Sequence, residues 1–157
     1  MLLKNSVQNP LVIPEFFHNV LDIHFTCVLT EEEKAIFIDS LSAMEKQLRR
    51  DNIRLTTALV LFIASNEYTI QYEETDRRII GQQPSLIIYR INRCREKELN
   101  YKWMITVYLE ELCHLFYKTQ DEFITKQKVR ETVKNYIPSI DPATLYTIEI
   151  ILERRKN

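Results

Sequence analysis

Three side chains that could bind a metal ion or transfer protons stand close together in the sequence: Glu110, Glu111 and His114. Residues three and four positions apart lie on one face of an α-helix, so both glutamates are expected beside the histidine. Carboxylates and neutral imidazole bind divalent metals, and the same groups serve as general acids and bases. The trio predicts a metal site, or else an internal polar network without a metal.

The segment around the trio predicts a helix from about residue 100 to 118 that is apolar around most of its circumference and is therefore buried. Buried carboxylates destabilise a fold unless they are paired, hydrogen-bonded or metal-bound. Because no lysine or arginine lies between Lys102 and Lys118, the compensating charge must come from elsewhere. A divalent cation is one candidate, and the other is a set of nearby arginines: Arg77, Arg78, Arg90, Arg93 and Arg95.

The run of residues 107–116, centred on Glu110-Glu111-Leu112-Cys113-His114, resembles the active-site helix of zincin metallopeptidases. The core motif of that helix is H-E-x-x-H, in which two histidines bind zinc and the glutamate activates the bound water. The resemblance implies a zincin-like fold over about residues 30–135, zinc or another divalent metal as cofactor, and peptide hydrolysis. It assigns His114 as a metal ligand and Glu111 as the general base.

Glu110 stands where the first histidine of the motif belongs. A carboxylate can bind zinc, but its negative charge makes the metal a poorer Lewis acid, so the chain either binds a metal that prefers oxygen ligands or has lost catalysis. A third ligand is expected after His114, with Glu122 ranked first, Asp121 second and Glu131 third. Asp121 and Glu122 have a second interpretation, since acidic residues there would cap the next helix.

Two other functions use the same residues. Glu111-x-x-His114 and Glu15-x-x-His18 are both E-x-x-H motifs, which in four-helix bundles build a di-iron centre, although the strand-rich region 53–91 argues against such a bundle. The other alternative is a non-enzymatic scaffold that contacts a protein or peptide partner, for which eight tyrosines would be suited.

The pattern of the whole chain predicts an α+β fold in one domain, residues 1–157. A capping box, Thr30 with Glu33, opens a helix that closes at Arg50. The expected fold is a small three-stranded mixed or antiparallel sheet with helices packed on one side. The predicted parts are an irregular arm over 1–29 with a short helix at 15–21, strands at 55–63, 68–72 and 85–91, helices at 100–118 and 121–136, and a C-terminal unit over 136–157 with a helix from Pro142 to residue 155.

The composition excludes several classes of protein. The chain has one glycine, Gly81, where about 7% is typical, so glycine-rich phosphate loops and dinucleotide fingerprints are excluded. A net charge of −1 gives no general attraction to nucleic acid or anionic lipid, and the longest apolar run, 58–64, is too short to cross a membrane. Three cysteines without a CxxC pair, and no signal-peptide pattern, predict reduced thiols and a cytoplasmic location.

Overall fold

The computed structural model describes residues 6–65 and 85–146. In this part of the chain the fold is α+β, as predicted. Its elements follow in order: a 3₁₀ helix at Glu15–Phe17, β1 (Leu21–Phe25), α1 (Glu31–Arg50), β2 (Ala58–Ile63), β3 (Ser85–Arg90), α2 (Ile91–Glu96), α3 (Tyr101–Tyr117), α4 (Glu122–Tyr136) and a 3₁₀ helix at Pro142–Thr144. No helix among the described residues has the length and apolar character needed to cross a bilayer.

The three strands form a parallel sheet in the order β1-β2-β3, so the predicted mixed or antiparallel sheet is wrong. The register pairs Leu21 with Ala58 and Ala58 with Ser85. The physical reason is the connection between β1 and β2, where α1 crosses back to the end of the sheet at which β1 began. A crossover of this kind brings the next strand in parallel.

Strand β1 occupies a region for which the sequence predicted no strand. The short helix expected over 15–21 is confined to a single 3₁₀ turn at Glu15–Phe17, and the extended strand begins at Leu21. The arm adds to this edge, because the amide of Val7 donates to the carbonyl of Phe25 over 2.9 Å. The strand predicted at 68–72 lies outside the described residues.

Helix α1 begins and ends as the sequence predicts. Thr30 and Glu33 form the reciprocal capping box, with the Glu33 amide 3.1 Å from the threonine hydroxyl and the Thr30 amide 2.8 Å from the glutamate carboxylate. Arg95 of α2 makes two 2.8 Å hydrogen bonds to the same carboxylate. Burial would raise the pKa of Glu33, but the hydrogen bonds from Arg95 and Thr30 outweigh it and lower that pKa. Glu33 therefore ties the start of α1 to α2.

The main core joins one face of the sheet to α1 and α3. Its centre is a set of edge-to-face and tilted aromatic contacts among Phe37, Phe62, Tyr89 and Tyr108. Such pairs stabilise a core beyond the area they bury. Strand β2 is also buried on its other face, where Leu61 and Ile63 form a second cluster. The prediction of a strand buried on both faces is confirmed.

The C-terminal unit begins as predicted, with Asp141 capping the turn by accepting from the Ala143 amide over 2.9 Å. The predicted helix is wrong at its start, because the 3₁₀ helix Pro142–Thr144 ends where Leu145 is extended and Tyr146 takes a positive φ of 61°. The part of the predicted helix from residue 147 onward lies outside the described residues.

The C-terminal end of α1 is joined to α3 and α4 by the carboxylate of Asp51. This carboxylate accepts hydrogen bonds from Gln47, Arg50, Tyr117 and Lys128 over 2.7 to 3.0 Å. Burial would raise the pKa of Asp51, but these donors, led by Lys128 and Tyr117, hold it well below its usual range. The ionised carboxylate is therefore a stabilising junction of three helices.

We expect Asp51→Asn to lower the free energy of unfolding at pH 7 by roughly 1–3 kcal/mol, because it leaves partly buried donors poorly paired. The pKa of Asp51 is lower in the folded than in the unfolded chain, so its contribution is complete above about pH 4 to 5 and is lost as the pH falls further. Urea unfolding of both proteins across this range measures the difference, which should shrink on acidification. Glu45→Gln, which removes a surface pair with Arg49, is the control and should cost under about 1 kcal/mol. A difference independent of pH would contradict the assignment.

Candidate functional site

A pocket of about 530 Å³ lies where the first residues of β3 meet the last turns of α3. Two residues of the trio, Glu111 and His114, line this pocket. Glu110 is half-buried and is not among the described residues of the lining; its charge adds to the effect of burial in raising the pKa of the Cys113 thiol to about 12. The described lining consists of Ser85, Leu86, Ile87, Glu111, His114, Leu115 and Gln120.

The imidazole of His114 is held by its Nδ1 atom. Nδ1 lies 2.8 Å from the backbone carbonyl of Thr119 and 3.2 Å from the hydroxyl of Thr125. Because a carbonyl can only accept, Nδ1 carries the proton. The Thr125 hydroxyl can accept from the same N–H, since its own proton is directed to the carbonyl of Asp121 at 3.0 Å. When the ring is neutral, the lone pair is therefore on Nε2.

A sharp turn between α3 and α4 brings Thr119 back to the histidine. Lys118 takes a left-handed conformation, with φ 51° and ψ 41°, and ends α3. The Thr119 hydroxyl then accepts from the amide of Asp121 over 3.1 Å. The Asp121 carboxylate in turn accepts from the amides of Phe123 and Ile124 over 2.8 and 3.2 Å. The capping interpretation of Asp121 is confirmed, and its hydrogen bonds direct this carboxylate at the first turn of α4.

Glu122 points its carboxylate towards the histidine. Its Oε1 lies 3.6 Å from Nε2 of His114, and its other oxygen lies 3.7 Å from Nζ of Lys126. The side chain is 66% exposed, so it can change rotamer without disturbing the core. Glu131, ranked third as a ligand, instead pairs with Arg50 and Lys128 beside the Asp51 junction.

The carboxyl group of Glu111 has a raised pKa. Loss of water around it is the largest cause; His114 opposes the shift, and the charges of Glu110 and Glu122 add to it. Glu111 is nevertheless an exposed residue that lines the pocket, so its carboxyl group is only partly shielded from water. The pocket therefore contains a carboxyl group that holds its proton more tightly than usual, next to a histidine and a second carboxylate.

The fit of this cluster to a metal ion is partial. Within residues 6–65 and 85–146, no group of three or more His, Cys, Asp or Glu side chains is arranged so that it could hold a metal ion. His114 and Glu122 supply two suitable atoms that face each other, and a third protein ligand would require Glu111 or another carboxylate to turn towards them.

Arg95 is paired with Glu33 and not with the trio, whereas Arg77 and Arg78 lie outside the described residues. His18 of the second E-x-x-H motif contacts the carbonyl of Ile13 over 3.1 Å, and the parallel sheet is incompatible with the di-iron bundle. The three cysteines are buried free thiols, as predicted.

The two threonines that hold His114 were not identified from the sequence. Thr119 acts through its backbone carbonyl, which carries no sequence signal. Thr125 does carry a sequence signal, because it is a polar residue on the buried face of α4, together with Val129 and Val133. A hydroxyl on a buried helical stripe indicates a hydrogen-bond partner inside the fold.

No protein-family model, no curated protein and no solved structure matches this chain.

We expect Lys118→Gly to raise the free energy of unfolding by roughly 0.5–1 kcal/mol, since glycine takes the left-handed conformation without the steric cost that a Cβ atom imposes. Denaturant unfolding measures the gain. Lys118→Ala removes the same charge but keeps Cβ, and should give no increase. Equal stabilisation by glycine and alanine would mean that charge, and not backbone conformation, is responsible.

Proposed function

We propose that the pocket is a divalent-cation site in which His114 Nε2 and the Glu122 carboxylate are protein ligands. We further propose that Glu111 is the general base of a metal-dependent hydrolase of the peptidase type. The observation that carries the proposal is the orientation of His114, whose Nδ1 is bonded to a backbone carbonyl while Nε2 faces a carboxylate. Histidines that bind metals commonly donate their other N–H in this way.

The charges near the pocket support a cation. Glu111 and Glu122 lie beside a single histidine, and Glu110 acts on the same carboxyl group. Two like-charged carboxylates close together favour either a proton or a positive ion between them. Because an imidazole nitrogen joins oxygen ligands here, the site should prefer zinc or a similar transition metal to magnesium or calcium.

The roles of the protein residues follow from their positions. The Thr119 carbonyl orients the imidazole, and the exposed side chain of Glu122 can complete the ligand pair. Glu111 borders the open part of the pocket, where a water molecule could approach it, and its raised pKa makes it a better proton acceptor near neutral pH. A divalent cation in such a site supplies Lewis acidity and lowers the pKa of a bound water.

Zinc binding can be tested by elemental analysis of protein purified without a chelating resin and by calorimetric titration of the metal-free protein. We expect wild type to bind zinc, and to be stabilised by about 2.7 kcal/mol at a free concentration 100 times the Kd. His114→Ala should lose both effects. His24→Ala is the matched control, because His24 Nε2 also lies 2.8 Å from a carboxylate, that of Asp22, on β1. If wild type shows no stoichiometric metal and no stabilisation, or if both variants behave alike, the site is not a metal site.

Substitution of Glu111 separates catalysis from binding. We expect Glu111→Gln to retain zinc binding, weakened only by the loss of one nearby negative charge, while hydrolysis of a fluorogenic peptide library falls by about 10²–10⁴-fold, the usual contribution of a general base. Glu110→His restores the H-E-x-x-H motif and should raise zinc affinity if position 110 can reach the metal. Hydrolysis that survives in Glu111→Gln would remove Glu111 from the mechanism.

A second candidate function is that of a protein-interaction scaffold without catalysis. The observation that favours it is the exposure of two adjacent apolar residues in the first turn of α4, Phe123 at 77% and Ile124 at 43%. Large apolar side chains exposed next to each other are common at sites of protein contact. Under this alternative, wild type would show neither bound metal nor hydrolysis.

A further inference from the structure

The buried hydroxyl of Thr125 makes two contacts, one within α4 and one with α3. Its bond to the carbonyl of Asp121, four residues earlier, is one that threonines make in many helices. Its contact with Nδ1 of His114 crosses from α4 to α3. That second contact needs a hydroxyl at this one position on the buried face of α4, directed at the last turn of α3.

The ring nitrogen of His114 thus has two acceptors on the same side. The Thr119 carbonyl lies 2.8 Å away and the Thr125 hydroxyl 3.2 Å away. Both require a proton on Nδ1, because the carbonyl cannot donate and the hydroxyl proton is directed elsewhere. In water, a neutral histidine side chain prefers its proton on Nε2, so the protein environment here opposes the intrinsic preference.

We propose that Thr125, together with the turn over residues 118–121, is the positioning device that fixes His114 as the Nδ1–H tautomer and directs the Nε2 lone pair at Glu122. Thr125 touches no ligand and acts through the ring, so it is a positioning residue. The tautomer stands independently of any ligand. Its consequence, that loss of Thr125 weakens zinc binding, rests on the function proposed above.

The α3–α4 junction also fixes the ring in space. Thr125 is completely buried, and the Asp121 carbonyl that it contacts also accepts from the Thr125 amide over 3.0 Å. Replacement of the Thr125 hydroxyl by a methyl group therefore leaves the Asp121 carbonyl with a hydrogen bond. The contact that has no substitute is the one with His114. This makes Thr125→Val a selective change.

The chain contains a matched control for this change. Thr132 is a second threonine on the buried face of α4, also completely buried, and its hydroxyl donates to the carbonyl four residues earlier, that of Lys128, over 2.8 Å. Thr132→Val thus reproduces the loss of a buried hydroxyl and of the same kind of backbone bond, away from His114. Thr125→Ser retains the hydroxyl and should rescue the behaviour of wild type.

The tautomer can be read in the metal-free protein by two-bond ¹H–¹⁵N correlation spectra, recorded at a pH where the imidazoles are neutral. We expect His114 to show a protonated Nδ1 and an unprotonated Nε2 in wild type, Thr125→Ser and Thr132→Val. In Thr125→Val the Nδ1–H fraction should fall. A protonated Nε2 in wild type, or no change in Thr125→Val, would overturn the proposal.

Zinc titration of the same four proteins tests the consequence. Loss of a group that orients a ligand typically weakens metal affinity by about 10–100-fold, so we expect such a loss in Thr125→Val alone. The Nδ1–H tautomer in a wild-type protein that binds no zinc would uphold the positioning role and overturn the proposed function. Equal zinc affinities in all four proteins would overturn the link between Thr125 and the site.

Discussion

The burial of α3 is the constraint on which the rest of this structure depends. The helix packs against α1, α4 and β3, and its buried residues occupy most of its circumference. A helix enclosed in this way has little room for charge, so its polar groups must find partners or emerge where the packing stops. Among residues 6–65 and 85–146, packing on α3 stops beside the first residues of β3, where Glu111 and His114 reach the pocket. The position of the candidate site therefore follows from the packing of α3.

The same packing requires the chain to leave α3 abruptly and start α4 within a few residues. Two sets of hydrogen bonds hold this junction. In the first, the Asp51 carboxylate joins Tyr117 of α3 to Lys128 of α4. In the second, the carbonyl of Thr119 and the hydroxyl of Thr125 both contact Nδ1 of His114. Since both sets connect the same helices, the orientation of His114 is as well determined as the packing of α4 on α3.

Local signals in the sequence predicted the helices well and the sheet less well. The Thr30–Glu33 capping box, the apolar α3 and the Asp121 cap depend on neighbouring residues and were correctly predicted. Strand β1 does carry a strand signal, because Leu21, Ile23 and Phe25 alternate with polar residues, but it is short and follows a segment interpreted as helical. Without β1, the crossover through α1 could not be inferred, and neither could the parallel direction of the sheet. The contact between Thr125 and His114 depends on how α4 packs, which no local pattern encodes.

The scarcity of glycine also bears on the site. Among the described residues, left-handed backbone occurs at four non-glycine positions, three of which, Asn52, Glu98 and Lys118, lie one or two residues past the end of an α-helix. Such residues cost of order 1 kcal/mol each and persist where surrounding bonds fix them. After Asn52 that bond is the one from the Ile53 amide to the Leu48 carbonyl at 3.0 Å. After Lys118, the imidazole of His114 donates a hydrogen bond to the carbonyl of the next residue, Thr119.

His114 is thus part of the helix end as well as of the pocket, so its replacement should affect stability and binding together. Glu122 is exposed, so its replacement should change binding without a comparable change in stability.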